Sequence, residues 1–278
     1  MMRISERISA EMLVLYAFIG RQFALYKRYW HWELMWIAYT FANTLAIGFL
    51  GSGVGMVTGQ EVDSKTLIIY LLIGSLMWGY LAGLFWEVGS VVSWERWEGT
   101  IEYTFMAPIS RITHLIGMCL FAIIYGVLRT VLILGAVAIF FDLDISGADL
   151  PGALLILVAS SVSLVGIGMM VAILPLFSPE KGTQIMGIIE ALILMVSGVY
   201  YPIDVLPSWM RWLSWISPAT YTLSGMRKAL LSKEGISGLF PELAALLLMG
   251  LIAVPLGFLV FSWAERRAKR IGMLSRSG

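Results

Sequence analysis

The chain has 278 residues, 59% of them hydrophobic and 13% charged, with a mean hydropathy of +0.85, which excludes a water-soluble globular domain and indicates a multi-spanning membrane protein. Its formal net charge is +1, and the basic residues are scattered at the ends of apolar runs, which excludes a nucleic-acid binder built on a basic patch with stacking aromatics. The lone Cys119 permits neither an intrachain disulfide nor a cysteine metal site.

In residues 1–31, Ile4, Ile8, Met12, Leu15, Ile19, Phe23, Tyr26 and Trp30 recur every three or four positions, with Arg3, Arg7, Arg21 and Arg28 on the opposite face. This is the pattern of an amphipathic helix lying in the membrane interface, its bases toward anionic headgroups. The charged start runs into a long mixed segment without a short apolar core and cleavage site, so no removable signal peptide is expected. Six apolar runs then follow, at 32–54, 67–92, 115–140, 152–177, 183–200 and 241–263, each near the ~20 residues that a spanning helix needs. The expectation is an all-α polytopic fold in a single permease domain, 1–278, with both termini on one side. Thirteen Lys and Arg fall in the segments on the N-terminal side and five on the other, with Arg129 inside a span. The positive-inside bias therefore puts both termini in the cytoplasm.

Between the second and third spans, residues 93–111 carry WERWEGTIEYTFMAPISR from Trp94. Read as one helix, Trp94, Trp97, Ile101 and Phe105 share an arc, and Glu95, Glu98 and Glu102 form the neighbouring stripe. Such a segment is either a contact surface for a cytosolic partner or a solvated loop with interfacial tryptophans. After the fifth span, residues 201–231 hold Pro207 and Pro218 around a short segment in which Trp209, Trp212, Leu213 and Ile216 share a helical face. It is too short to span, and suits the outer interface or a re-entrant dip, as an anchor or as part of a gate.

Ionisable residues inside spans are costly and point to function. Glu87, Arg129 and Glu190 are the three. Counting depth at about 1.5 Å per residue suggests that Arg129 pairs with Glu190, as a structural bridge or within a water-accessible path. Ser75, Gly79, Gly83 and Glu87 form a small-residue stripe on the second span, and Gly51, Gly55 and Gly59 another across the end of the first, both suited to close helix packing. Pro175 and Pro255 are expected to kink the fourth and sixth spans.

No G-x-x-x-x-G-K-[ST], H-E-x-x-H or G-x-S-x-G motif occurs, and the two histidines, His31 and His114, lie at membrane borders. The chain is therefore not expected to be an enzyme, and energy for transport must come from a partner or an ion gradient. An ion-coupled carrier would use Glu87, Arg129 and Glu190 as its relay; an intramembrane enzyme lacks the necessary constellation.

The loop residues Glu95, Glu98, Gly99, Thr100, Ile101, Glu102, Pro108 and Arg111 resemble the E-x-x-x-G-T-[LI]-E…P…R element of the type 2 permeases of ATP-binding-cassette exporters. Gly198, Tyr201, Pro202, Leu206, Pro207, Trp209, Ser217, Pro218 and Arg227 are similar to that family's signature before the last span. The resemblance implies a plasma-membrane permease subunit that works with two separate ABC ATPase subunits and a second permease copy, identical or related. ATP and magnesium would then sit on the partner, with no cofactor on this chain. By position it makes Glu95, Glu98, Gly99, Thr100 and Glu102 the ATPase-coupling element, and Tyr201, Pro202, Trp209, Trp212 and Pro218 an outer gate. The apolar spans favour an amphiphilic or hydrophobic substrate, such as a drug, lipid or lipid-linked glycan, exported by alternating access. Tyr200, Tyr201 and Tyr221 keep a polysaccharide open as the alternative.

Overall fold

A computed structural model describes residues 4–58, 64–107, 110–143, 147–232 and 235–272. Pro108 of the loop motif, Gly59 of the glycine series and the tail beyond Gly272 lie outside them. The described chain is helical and contains no strand. Five helices are long and apolar enough to cross a membrane among the described residues. They are α2 (Trp30–Thr58), α3 (Ser64–Gly89), α6 (Arg111–Phe140), the pair α7 (Leu150–Val171) and α8 (Ile173–Phe177), and α12 (Phe240–Arg270).

The sixth expected span is α9 (Pro179–Val196), whose 18 residues include Glu180, Lys181 and Glu190. At about 27 Å it is the shortest of the set. It nevertheless runs antiparallel along α3: a Cβ at Gly89 would touch the Met186 side chain, and one at Gly74 would meet the Val199 carbonyl just beyond α9. The helix break expected at Pro175 lies between α7 and α8, where the proline supplies no amide hydrogen to the carbonyl one turn back. At Pro255, α12 continues without interruption.

Helix α7 is the centre of the bundle, most of its residues being buried. It packs along α12 at backbone distance: a Cβ at Gly166 would lie 2.4 Å from the Ala253 carbonyl carbon, and one at Gly257 2.5 Å from the Gly166 oxygen. Small residues are required at this crossing, because in lipid the helices associate by close packing rather than by escape from water. A hydrogen bond between Tyr80 and Ser161 pins α3 to α7.

The N-terminal helix α1 (Ile4–Arg28) packs parallel to the first half of α6. Phe18 lies against His114, Gln22 donates to Met118, and the Tyr26 ring packs on Phe121. This corrects the expected division of faces. Met12 and Phe23 are exposed while Arg21 points into the protein, because a carboxylate waits there to pair with it.

Candidate functional site

The segment after α3 forms two short helices, α4 (Val91–Trp97) and α5 (Ile101–Met106), not one. Gly99 has φ +72°, its N–H reaches the Arg96 carbonyl at 3.1 Å, and the Thr100 N–H reaches the Glu95 carbonyl at 2.9 Å. This is a Schellman C-cap, in which glycine adopts the left-handed conformation that stops the helix. The turn rotates α5 relative to α4, so the expected common face is lost. Ile101 is buried, whereas Trp94 and Trp97 are exposed.

Glu95, expected to face a partner, is 1% exposed. Its Oε1 accepts from Arg21 Nη1 at 2.9 Å, and Arg21 Nη2 donates to Thr100 Oγ1 at 3.0 Å. His114 Nε2 stands 3.5 Å from the same carboxylate oxygen, an electrostatic contact rather than an aligned hydrogen bond. Burial alone would raise the Glu95 pKa. Contacts with His114 and Thr104 and the charge of Arg21 outweigh it and hold the carboxyl at about 2. Glu95 and Thr100 therefore brace the segment from within, tying α4 and α5 to α1 and α6. Arg96 adds a bond to the Leu176 carbonyl of α8.

Of the five expected coupling residues, Gly99 makes the turn, Glu98 is half-buried and Glu102 faces outward. The outward surface is largely apolar and aromatic: Trp97, Tyr103 and Met106 are 64%, 76% and 75% exposed. Arg21 and His114 were not anticipated as part of this site. The pattern of α1 assigned Arg21 to a headgroup-facing side, and only a partner carboxylate at its depth could have corrected that.

The three intramembrane ionisable residues do not converge. Arg129 donates to Thr40 Oγ1 at 2.7 Å and to the Trp36 carbonyl at 3.2 Å. Glu190 accepts from Trp86 Nε1 at 2.6 Å. The expected Arg129–Glu190 pair is not made, because Trp86 and Glu87 are successive residues and point to different sides of α3. Trp86 meets α9, whereas Glu87 meets α1 and α6: Glu87 accepts from the Tyr26 hydroxyl, and Glu33 of α2 accepts from Tyr125. Depth was legible from the sequence; helix rotation was not. Glu87 and Arg129 instead border one small cavity between α2, α3 and α6.

At the opposite end lie α10 (Ser208–Ile216) and α11 (Pro218–Arg227). Met210 and Leu213 pack inward, so Leu213 leaves the expected tryptophan face, while Trp209, Trp212, Trp215 and Ile216 are exposed. Tyr201 donates its hydroxyl to the Met195 carbonyl, Pro202 is exposed before a short 3-10 turn, and Pro218 is buried at the start of α11. None of the five expected gate residues borders the cavity. The neighbouring Arg227 is half-buried and engaged: it donates to the Gly198 and Val199 carbonyls at 3.0 and 2.7 Å and stacks 3.6 Å over the Tyr70 ring.

Long apolar helices around a glycine-packed centre, a braced helical pair at one end and polar groups set within the spans fit a membrane transport domain. A family model described as ABC-2 type transporter matches residues 14–231, and the chain belongs to that family. It is a membrane-embedded, ABC-type transport permease, of a family that normally works with an ABC ATPase partner. No individually curated protein matches it.

Proposed function

We propose that the chain is the permease subunit of an ATP-driven exporter in the plasma membrane, moving an amphiphilic or hydrophobic substrate out of the cytoplasm by alternating access. Both termini and α4–α5 face the cytoplasm, and the permease works as a dimer with a second copy. The chain is a transport subunit without catalysis of its own, and ATP and magnesium belong to two partner ATPase subunits. The observation that carries this reading is the α4–α5 element. It presents Trp97, Tyr103, Met106 and Glu102 outward from a frame held by a buried ion pair. A short rigid helix with an apolar knob is suited to a groove on a partner, and its bracing to α1 and α6 gives a displacement there a mechanical route into the spans.

A relay of Glu87, Arg129 and Glu190 loses support from the separation of Glu190 on the α9 side of α3. Purification of the permease in mild detergent tests the main reading. A P-loop ATPase should copurify, and ATP should drive substrate movement in vesicles. Glu98→Lys or Glu102→Lys should uncouple hydrolysis from transport without unfolding the chain. Substrate movement by the permease alone, driven by an ion gradient, would overturn it.

A further inference from the structure

Arg129 is held, among the described residues, by neutral acceptors, the Thr40 hydroxyl and the Trp36 carbonyl. Among the described residues no carboxylate lies within ion-pair distance of it. Its depth follows from its neighbours: the Thr40 methyl would lie 3.2 Å from a Cβ at Gly79, ten residues before the end of α3. That places the guanidinium about 15 Å inside the span, and about 12 Å deeper than the Glu87 level. A cation so deep in hydrocarbon calls for a counter-charge. Glu87 lies across the intervening cavity and already accepts the Tyr26 hydroxyl.

That cavity measures about 40 Å³, against roughly 10–15 Å³ for one water. It has room for about three waters, or for one small charged group. Glycine lines one wall: a Cβ at Gly83 would meet nothing within 4 Å, so the wall there is set back. A planar guanidinium fork at the deep end, beside a hydroxyl that fixes its rotation, has the geometry that recognises a phosphate or carboxylate through two parallel hydrogen bonds.

We propose that the cavity between α2, α3 and α6 binds the anionic group, phosphate or carboxylate, of an amphiphilic substrate, with Arg129 as the binding fork and Thr40 positioning it. Glu87 lies on the shallower wall of the same cavity. This deepens the reading of the chain as a permease for amphiphiles, and rests on it.

The test uses the full-length permease in an uncharged maltoside detergent, with dodecyl phosphate and dodecyltrimethylammonium as probes below their micellar concentrations. Dodecyl phosphate should raise the Tm by several degrees, as a ligand that binds only the folded state does, and the ammonium probe should not. Arg129→Gln should abolish the shift, Arg129→Lys should keep part of it, and Thr40→Val should weaken it about tenfold. An equal shift in Arg129→Gln, or a larger shift with the ammonium probe, would overturn the site. Should Arg129→Gln fail to fold, Arg129→Lys and Thr40→Val decide by the same measurement, and unchanged affinity in both overturns it. The measurement needs no ATPase: a copurifying ATPase with no Arg129-dependent shift defeats this site alone, whereas an Arg129-dependent shift in a permease that moves substrate on an ion gradient without ATP defeats the exporter reading alone.

Discussion

The α4–α5 end and the α10–α11 end both place a short amphipathic element beside a span, yet they are attached in different ways. At α4–α5 the ties are charged and reach distant elements: Arg21 of α1 and His114 of α6 converge on Glu95. At α10 the ties are local: Arg211 reaches Asp204, a few residues upstream, only at 3.9 Å on the surface, and the buried ties are neutral. Ser214 donates to the Val196 carbonyl at 2.6 Å, and Ser197 and Ser217 are hydrogen-bonded at 2.7 Å. Helix α10 packs mainly on α9, α11 and the 3-10 turn before it. The difference teaches how a force would travel. A push on α4–α5 moves α1 and α6 with it, whereas α10 can follow the end of α9 without disturbing the rest of the bundle.

Breaking the charged brace should have the largest effect. Glu95→Ala removes the charge-assisted hydrogen bond from the half-buried Arg21, a loss of about 2–3 kcal/mol, visible as a fall in Tm of the purified permease. Ser214→Ala, the matching change at the other end, removes one neutral hydrogen bond and should cost about 1 kcal/mol. Equal losses would erase the contrast.

The same brace should respond to acid. The Glu95 carboxyl is held at about 2, below its ordinary 4.5, so its contribution is fully present above pH 4.5 and disappears as pH falls from there toward 2. Thermal unfolding across that window should steepen in its pH dependence for the wild type and flatten in Glu95→Gln.

Gly99→Ala forces a side chain into the left-handed region and should cost about 1–2 kcal/mol. Gly99→Asn, better tolerated there, should cost less, so similar losses for the two would argue against the Schellman stop. Smallest of all, Trp209→Ser with Trp212→Ser should change stability by no more than about 0.5 kcal/mol, while shifting tryptophan emission through loss of two exposed rings. A large loss of stability would mean that α10 is part of the core.

Much of the fold was legible because a bilayer imposes length and apolarity on each span: each expected run overlaps a helix, whereas the segment from Trp94, read as one helix, is two. The site was less so. The Glu-Gly-Thr run at 98–100 carries a glycine stop that helical periodicity overran, and this one residue turns Ile101 inward. Arg129 and Glu190 were matched by depth alone, whereas their partners are set by the rotation of α3, which no local pattern encodes. Arg21 and Glu95 lie 74 residues apart, and their pairing is a property of packing between helices.

On the proposed reading, α4–α5 is the surface through which the ATPase drives the spans. Met106→Cys and, at the opposite end, Val205→Cys are matched probes, 75% and 72% exposed, and the native Cys119 is buried. With a short bifunctional reagent in native membranes, Met106→Cys should cross-link to an ATPase subunit with a yield that changes on ATP addition, and Val205→Cys should not. Cross-linking from Val205→Cys, or none from Met106→Cys in membranes that still transport, would contradict the account.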